Sequence, residues 1–162
     1  VKRRLATEKE ATALASAVRL RIVRMTFRRP MTNKEIAQRL GKDPATTLHH
    51  VRKLVAAGFL EAQSARVGNR GAREIPYLST GLSWQLDWSE RDPTQEAMLQ
   101  AFLAEVADVG DLNRVDQTRL IVEVDPEELN RRLRTLFDEL AARPPEPGAP
   151  RVAIYLAVYP GD

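Results

Sequence analysis

His49 and His50 are the only two histidines in the chain, and they sit side by side in the stretch Asp43-Pro44-Ala45-Thr46-Thr47-Leu48-His49-His50-Val51-Arg52-Lys53-Leu54. Such side chains can ligate a metal, move a proton or read a polar surface. As metal ligands they are badly placed, because neighbours on a helix point about 100° apart and one ion cannot readily take both from a single chain. As a catalytic base, a histidine needs a nucleophile or an orienting carboxylate, and the local sequence spells out no such constellation. Recognition fits better. Thr46, His49, His50 and Lys53 stand at i, i+3, i+4 and i+7, one stripe of a helix. Thr47, Val51, Leu54 and Val55 lie on the other side, so the helix is anchored by one face and offers hydrogen-bonding tips on the other. For His50, packing against the neighbouring helix is the alternative.

The elements that must hold this stripe can be read outward from it. Asp43 is a good N-cap and Pro44 suits the first helical position, where its missing N–H costs nothing. The helix then spans 44–57, and Gly58 stops it. Before it, Thr32-Asn33-Lys34-Glu35 reads as a capping box. A short helix follows to Leu40, burying Ile36, Ala37 and Leu40, and Gly41 suits the left-handed turn after it. Further upstream, Leu14, Ala17, Val18, Ile22 and Met25 repeat at helical spacing, which predicts one helix within 5–27, ended by Arg29-Pro30. Downstream, 59–65 and 72–78 are extended runs around a Gly-Asn/Arg-Gly tip, a β-hairpin; Pro76 marks the second run as an edge strand or shortens it. A short helix, a glycine turn and an amphipathic helix make a helix-turn-helix, whose second helix fits the major groove of duplex DNA. The hairpin makes it winged.

Charge supports that reading. The net +3 of the 162 residues hides an asymmetry: residues 1–80 carry 17 Lys+Arg against 6 Asp+Glu, net +11, and residues 81–162 carry 8 against 16, net −8. A basic half fused to an acidic half is expected when one half meets a polyanion. The expected DNA contacts are therefore Thr46, His49, His50 and Lys53 with Ala45 beside them on the recognition helix, Lys42 at the turn, and Arg66, Arg70 and Arg73 in a wing spanning 66–73. Thr32, at a helix N-terminus, could meet phosphate as well as cap.

Composition excludes other classes. With 43% hydrophobic residues the chain can bury one ordinary core or two small ones. No cysteine is present, so disulfides and thiolate metal sites are ruled out. There is no signal-peptide core and no apolar run near the ~18 residues of a membrane span, which predicts a soluble, cytoplasmic protein without membrane partners. The chain opens on Val1, so a few preceding residues are expected, and Pro160-Gly161-Asp162 reads as a second cut. No phosphate-binding glycine loop, zinc signature or nucleophile elbow occurs; neither an enzyme nor a cofactor is expected.

The second half is less explicit. Residues 80–92, with Trp84 and Trp88, form a connector. Pro93 opens a helix to about Val109 with Met98, Leu99, Phe102, Leu103 and Val106 on one side. A strand at 120–124, a helix at 126–142, a proline-rich link at 144–150 and a strand at 152–159 follow. The last strand alternates Val152, Ile154, Leu156 and Val158 with Ala153, Tyr155, Ala157 and Tyr159, so burial on both faces is expected. One winged domain offers only ~600–1,000 Å² to DNA, which favours a homodimer reading two half-sites, with the segment 93–109 and the first helix supplying one apolar contact surface and the strand at 152–159 another. Trp84, Trp88 and Phe102 are candidate walls of a small-molecule effector pocket, and packing in the core is the alternative.

At this point the residues resemble a known family. Asn33-Lys34-Glu35-Ile36-Ala37-Gln38-Arg39-Leu40-Gly41, then Thr46-Thr47-Leu48-His49-His50-Val51-Arg52-Lys53-Leu54-Val55-Ala56-Ala57-Gly58-Phe59-Leu60, resemble the ArsR-type winged helix-turn-helix repressors. The wing 66–74 is similar to that of their larger, metal-free relatives. The resemblance covers about 13–78 and implies a dimeric DNA-binding regulator. It departs from the metal-sensing members, which carry cysteine pairs or C-terminal carboxylate and histidine ligands, so no metal is expected. The predicted fold is mainly α with small β (α+β): a winged helix-turn-helix domain at 1–80, then a dimerisation and effector region at 81–162 made of a helical segment and a strand-helix-strand element. The predicted function is a sequence-specific transcriptional regulator, a repressor by family analogy. The alternative is a winged-helix module that binds protein instead of DNA.

Overall fold

The computed structural model describes residues 2–68, 71–88 and 93–160. They fall into two compact units, Lys2–Leu112 and a second that begins at Asn113. The chain is α+β, with six helices and small sheets among the described residues.

In the first unit the single helix expected within 5–27 is two helices, α1 (Glu8–Leu14) and α2 (Ala17–Met25). Two caps set the helix starts, and the second makes the break. Thr7 and Glu10 close a capping box at the start of α1, and the Ser16 hydroxyl, on extended backbone, accepts from the Arg19 N–H at the start of α2. Apolar spacing could not reveal the break, because Leu14 and Ile22 both still point into the core. Leu5 lies outside the helix, in β1 (Arg4–Leu5), which pairs in parallel with β7 (Leu86–Asp87) from the connector.

After β2 (Met31–Thr32), the expected pair forms: α3 (Asn33–Leu40) and α4 (Pro44–Ala56). Thr32 Oγ1 accepts from the Glu35 N–H at 3.2 Å, and Glu35 Oε2 accepts from the Thr32 N–H at 2.7 Å. Gly41 leaves α3 at φ 60°, a left-handed conformation that needs no Cβ. Asp43 then accepts from the N–H groups of Ala45 and Thr46 at 2.8 and 3.1 Å. Asn33 Nδ2 donates to the Pro44 carbonyl at 2.9 Å and ties the two helix starts together.

The hairpin is bent into two ladders. Strand β3 (Leu60–Ala62) pairs with β6 (Pro76–Ser79), and β4 (Arg66–Val67) pairs with β5 (Arg73–Glu74). Strand β6 lies between β2 and β3, so the edge position predicted from Pro76 is corrected. Proline is tolerated there because it is the first residue of the strand, and its carbonyl still accepts from the Gln63 N–H at 2.8 Å. The run is shortened as well, since Ile75 separates β5 from β6.

Leu14, Ile22, Ile36, Val51, Leu54 and Phe59 are fully buried and form the core beneath α4. Each contributes about 1.5–3 kcal/mol of transfer free energy. Helix α5 (Thr94–Val109) packs on α1 and α2, with Arg21 paired to Asp108 and Arg24 Nε 3.0 Å from Glu105. The first unit thus runs past Thr80 and includes α5.

The second unit contains α6 (Pro126–Ala142), capped by the Asp125 carboxylate and by Pro126 at its first position. The expected strands at 120–124 and 152–159 are not formed: these residues belong to no ladder. The predicted burial on both faces is likewise absent, with Val152 80% and Tyr159 69% exposed. An apolar run becomes a strand only when another strand satisfies its backbone, and neither segment has one here.

Candidate nucleic-acid interface

Burial divides α4 into two faces. Thr47, Val51 and Leu54 are each 0% exposed, whereas Ala45, Thr46, His49, Arg52 and Lys53 are exposed. The Thr47 hydroxyl turns inward and donates to the Asp43 carbonyl at 2.9 Å. Val55, placed on the anchoring face by spacing, is 38% exposed, because it points about 100° around the helix from the buried Leu54. Arg52 was not singled out from the sequence; its place beside His49 and Lys53 on a continuous exposed surface is what brings it in.

The two histidines separate as neighbours on a helix should, with ring centroids 6.1 Å apart and planes at 64°. His49 faces outward. His50 is half-buried, and its Nδ1 is buried with no hydrogen-bond partner. Burial, then the charges of Arg19, His49, Lys42 and Lys53, hold its pKa below the usual imidazole value. Arg19 reaches this group from α2, where its guanidinium is anchored on the carbonyls of Ala13 and Thr12; burial lowers its pKa. No sequence signal joins residues 31 positions apart on separate helices. Among the described residues no three His, Asp or Glu side chains gather as a metal site would require.

The wing brings a different geometry for each arginine. Arg66 Nη2 lies 2.7 Å from Glu35 Oε1, and Arg66 Nε lies 3.7 Å from Glu74 Oε2. Its charge is compensated within the fold. Arg73 is exposed on β5. Arg70 lies outside the described residues. Lys42 is exposed at the turn. Thr32 is 4% exposed, with its hydroxyl engaged in the capping box. A Cβ at Gly68 would come within 2.3 Å of the Glu74 carboxyl carbon, so the Glu74 side chain would have to move to admit one.

The three candidate effector residues occupy different settings. Trp84 lies in a short 3-10 turn, Leu82–Gln85, with the Arg3 guanidinium 5.1 Å from its ring centroid and Arg3 Nε donating to its carbonyl at 3.1 Å. Trp88 packs, partly buried, against the main core. Phe102 is half-buried on α5. An open depression of about 340 Å³ is lined by Arg29, Pro30, Met31, Glu35, Gln38 and Arg39, and so by none of the three.

No helix among the described residues is long and apolar enough to cross a membrane. No curated protein matches the chain. Residues 14–63 match the family model described as a helix-turn-helix domain, a match that runs from the end of α1 through β3 and covers under a third of the chain.

Proposed function

We propose that the protein is a dimeric, sequence-specific DNA-binding transcriptional regulator that acts as a repressor. The observation that carries this reading is the division of α4: three side chains sealed in the core, and Ala45, Thr46, His49, Arg52 and Lys53 displayed together on the opposite surface. A major groove about 12 Å wide admits such a helix. Thr46 and His49 would reach base edges, the Ala45 methyl would suit a thymine methyl, and Lys53 and Arg52 would meet phosphates or guanine. Arg73 on β5 would lie along the adjacent backbone. Two copies would read half-sites one helical turn apart, roughly 34–36 Å. Occupancy of a promoter by such a compact protein blocks polymerase, which is the basis for repression.

Binding to promoter-proximal duplex DNA tests the proposal, measured by fluorescence anisotropy across salt. Affinity should fall steeply between about 50 and 200 mM salt as counterions are released. Absence of binding at low salt, or a flat salt dependence, overturns it and favours a winged helix that docks on protein.

A further inference from the structure

We propose that His50 takes up a proton from solvent when duplex DNA binds, so that the affinity of the protein for DNA rises as pH falls. The inference rests on the regulator reading above and adds a regulation of that same surface. Three observations single out His50. The ring shares the stripe of α4 that carries Thr46 and Lys53, yet it is half-buried where His49 beside it is exposed. Its Nδ1 is buried and has no hydrogen-bond partner. The charges that bear on it most strongly are all positive: Arg19 from α2, then His49 on α4, Lys42 at the turn and Lys53 on α4.

No carboxylate stands among them. On the elements packed against α4, Glu10 of α1 is held by Arg4, and Glu35 of α3 by Thr32 and Arg66. Asp43 caps the start of α4 itself, and Arg21 and Arg24 of α2 pair with α5. Glu8 is exposed at the opposite end of α1 from the Thr12 and Ala13 carbonyls that anchor Arg19, and Glu61 is exposed on β3. Lys9, Lys34 and Arg39 on α1 and α3 only add positive charge.

Protonating a neutral imidazole gives it a second N–H. In the free protein that step leaves a buried donor without an acceptor and sets a cation among cations, and burial with these charges holds the ring neutral at pH 7. A duplex reverses the local field. It carries one negative charge per ~1.7 Å of its axis, it neutralises Lys42 and Lys53, and it favours the charged ring within a Debye length of roughly 8–10 Å. Direct contact with a phosphate is not required. Because DNA raises the affinity of His50 for the proton, the proton raises the affinity of the protein for DNA by the same factor.

The test uses the full chain and a promoter-proximal duplex at fixed salt. With two histidines in the chain, NMR titration resolves both rings, and the His50 signal is the one missing from His50→Gln. Its midpoint should lie below about 6.5 in the free protein and above that value in the complex. Anisotropy should show affinity rising by up to about 10-fold per pH unit between about pH 7.5 and 6, the limit for one proton, with circular dichroism checking that the chain is folded at each pH. His50→Gln should remove most of that rise, whereas His49→Gln should weaken binding and keep it. If the wild type binds equally across this range, if its His50 midpoint does not move on binding, or if His50→Gln keeps the full rise, this inference alone is overturned. The NMR titration needs no folded variant beyond the assignment. If no duplex is bound at any pH, the regulator reading falls and this inference with it.

Discussion

Arg66 of the wing and Glu35 of α3, 31 residues apart, meet at 2.7 Å. Glu35 also accepts from the Thr32 N–H, and its pKa lies below the usual carboxylate range through that bond first and through Arg66 as well. The contact ties β4 to the first turn of the helix that precedes α4. It also pairs a positive charge of the wing with a carboxylate of the same chain.

Arg66 and Arg73 should therefore behave differently. Arg73→Ala should lower DNA affinity and reduce the slope of log K against log salt by about 1, as the loss of one phosphate contact does. Arg66→Ala should lower affinity with little change in slope, because it frees the wing without removing a phosphate contact. Salt titrations of both variants on one duplex check this; equal loss of slope would show Arg66 contacting phosphate directly.

On α4, exposure separates reading from folding. Thr46→Ala and His49→Ala should each reduce discrimination between cognate and mismatched sites by about 1–3 kcal/mol, with stability changed by under about 0.5 kcal/mol because both positions are exposed. Competition binding and urea melts measure the two effects separately.

The anchoring face should show the opposite pattern. Leu54→Ala removes a fully buried side chain and should cost about 2–5 kcal/mol. Val55→Ala, one position on and 38% exposed, should cost far less. Equal losses at both positions would contradict the burial assigned to the end of α4.

His50 makes stability depend on pH. Its folded pKa is depressed, so below the ordinary value near 6.5 the unfolded chain takes up a proton that the native chain does not. Stability should therefore fall as pH drops below that value. His50→Gln should flatten the decline in melting temperature between about pH 7 and 5.5; an unchanged decline would place the responsible group elsewhere.

Glu10 has a linkage of the same sign at lower pH. Its carboxyl is lowered to about 2 by the Arg4 guanidinium, 2.5 Å away, with the Thr7 hydrogen bonds adding to the effect. This contribution is fully present above the ordinary carboxylate value near 4.5 and disappears as pH falls toward about 2. Glu10→Gln should lower the melting temperature at pH 7, and its difference from wild type should shrink across that acidic window.

Local chemistry was enough to place α3, the glycine turn and α4. The Thr32-Glu35 box, Gly41 and the Asp43-Pro44 start each act within four residues, and their physics does not depend on the rest of the chain. The same locality made the stripe through Thr46, His49 and Lys53 legible, and it separated Thr47 and Leu54 as anchors. What only the tertiary structure decided involves partners far apart in sequence. Arg66 pairs with Glu35, Arg19 reaches His50 from another helix, and β6 lies inside a sheet despite Pro76 because β2 arrives from 45 residues upstream. The segments 120–124 and 152–159 show the limit from the other side. Alternating apolar residues encode a strand, but hydrogen bonds to another backbone make one, and the isolated chain does not supply them.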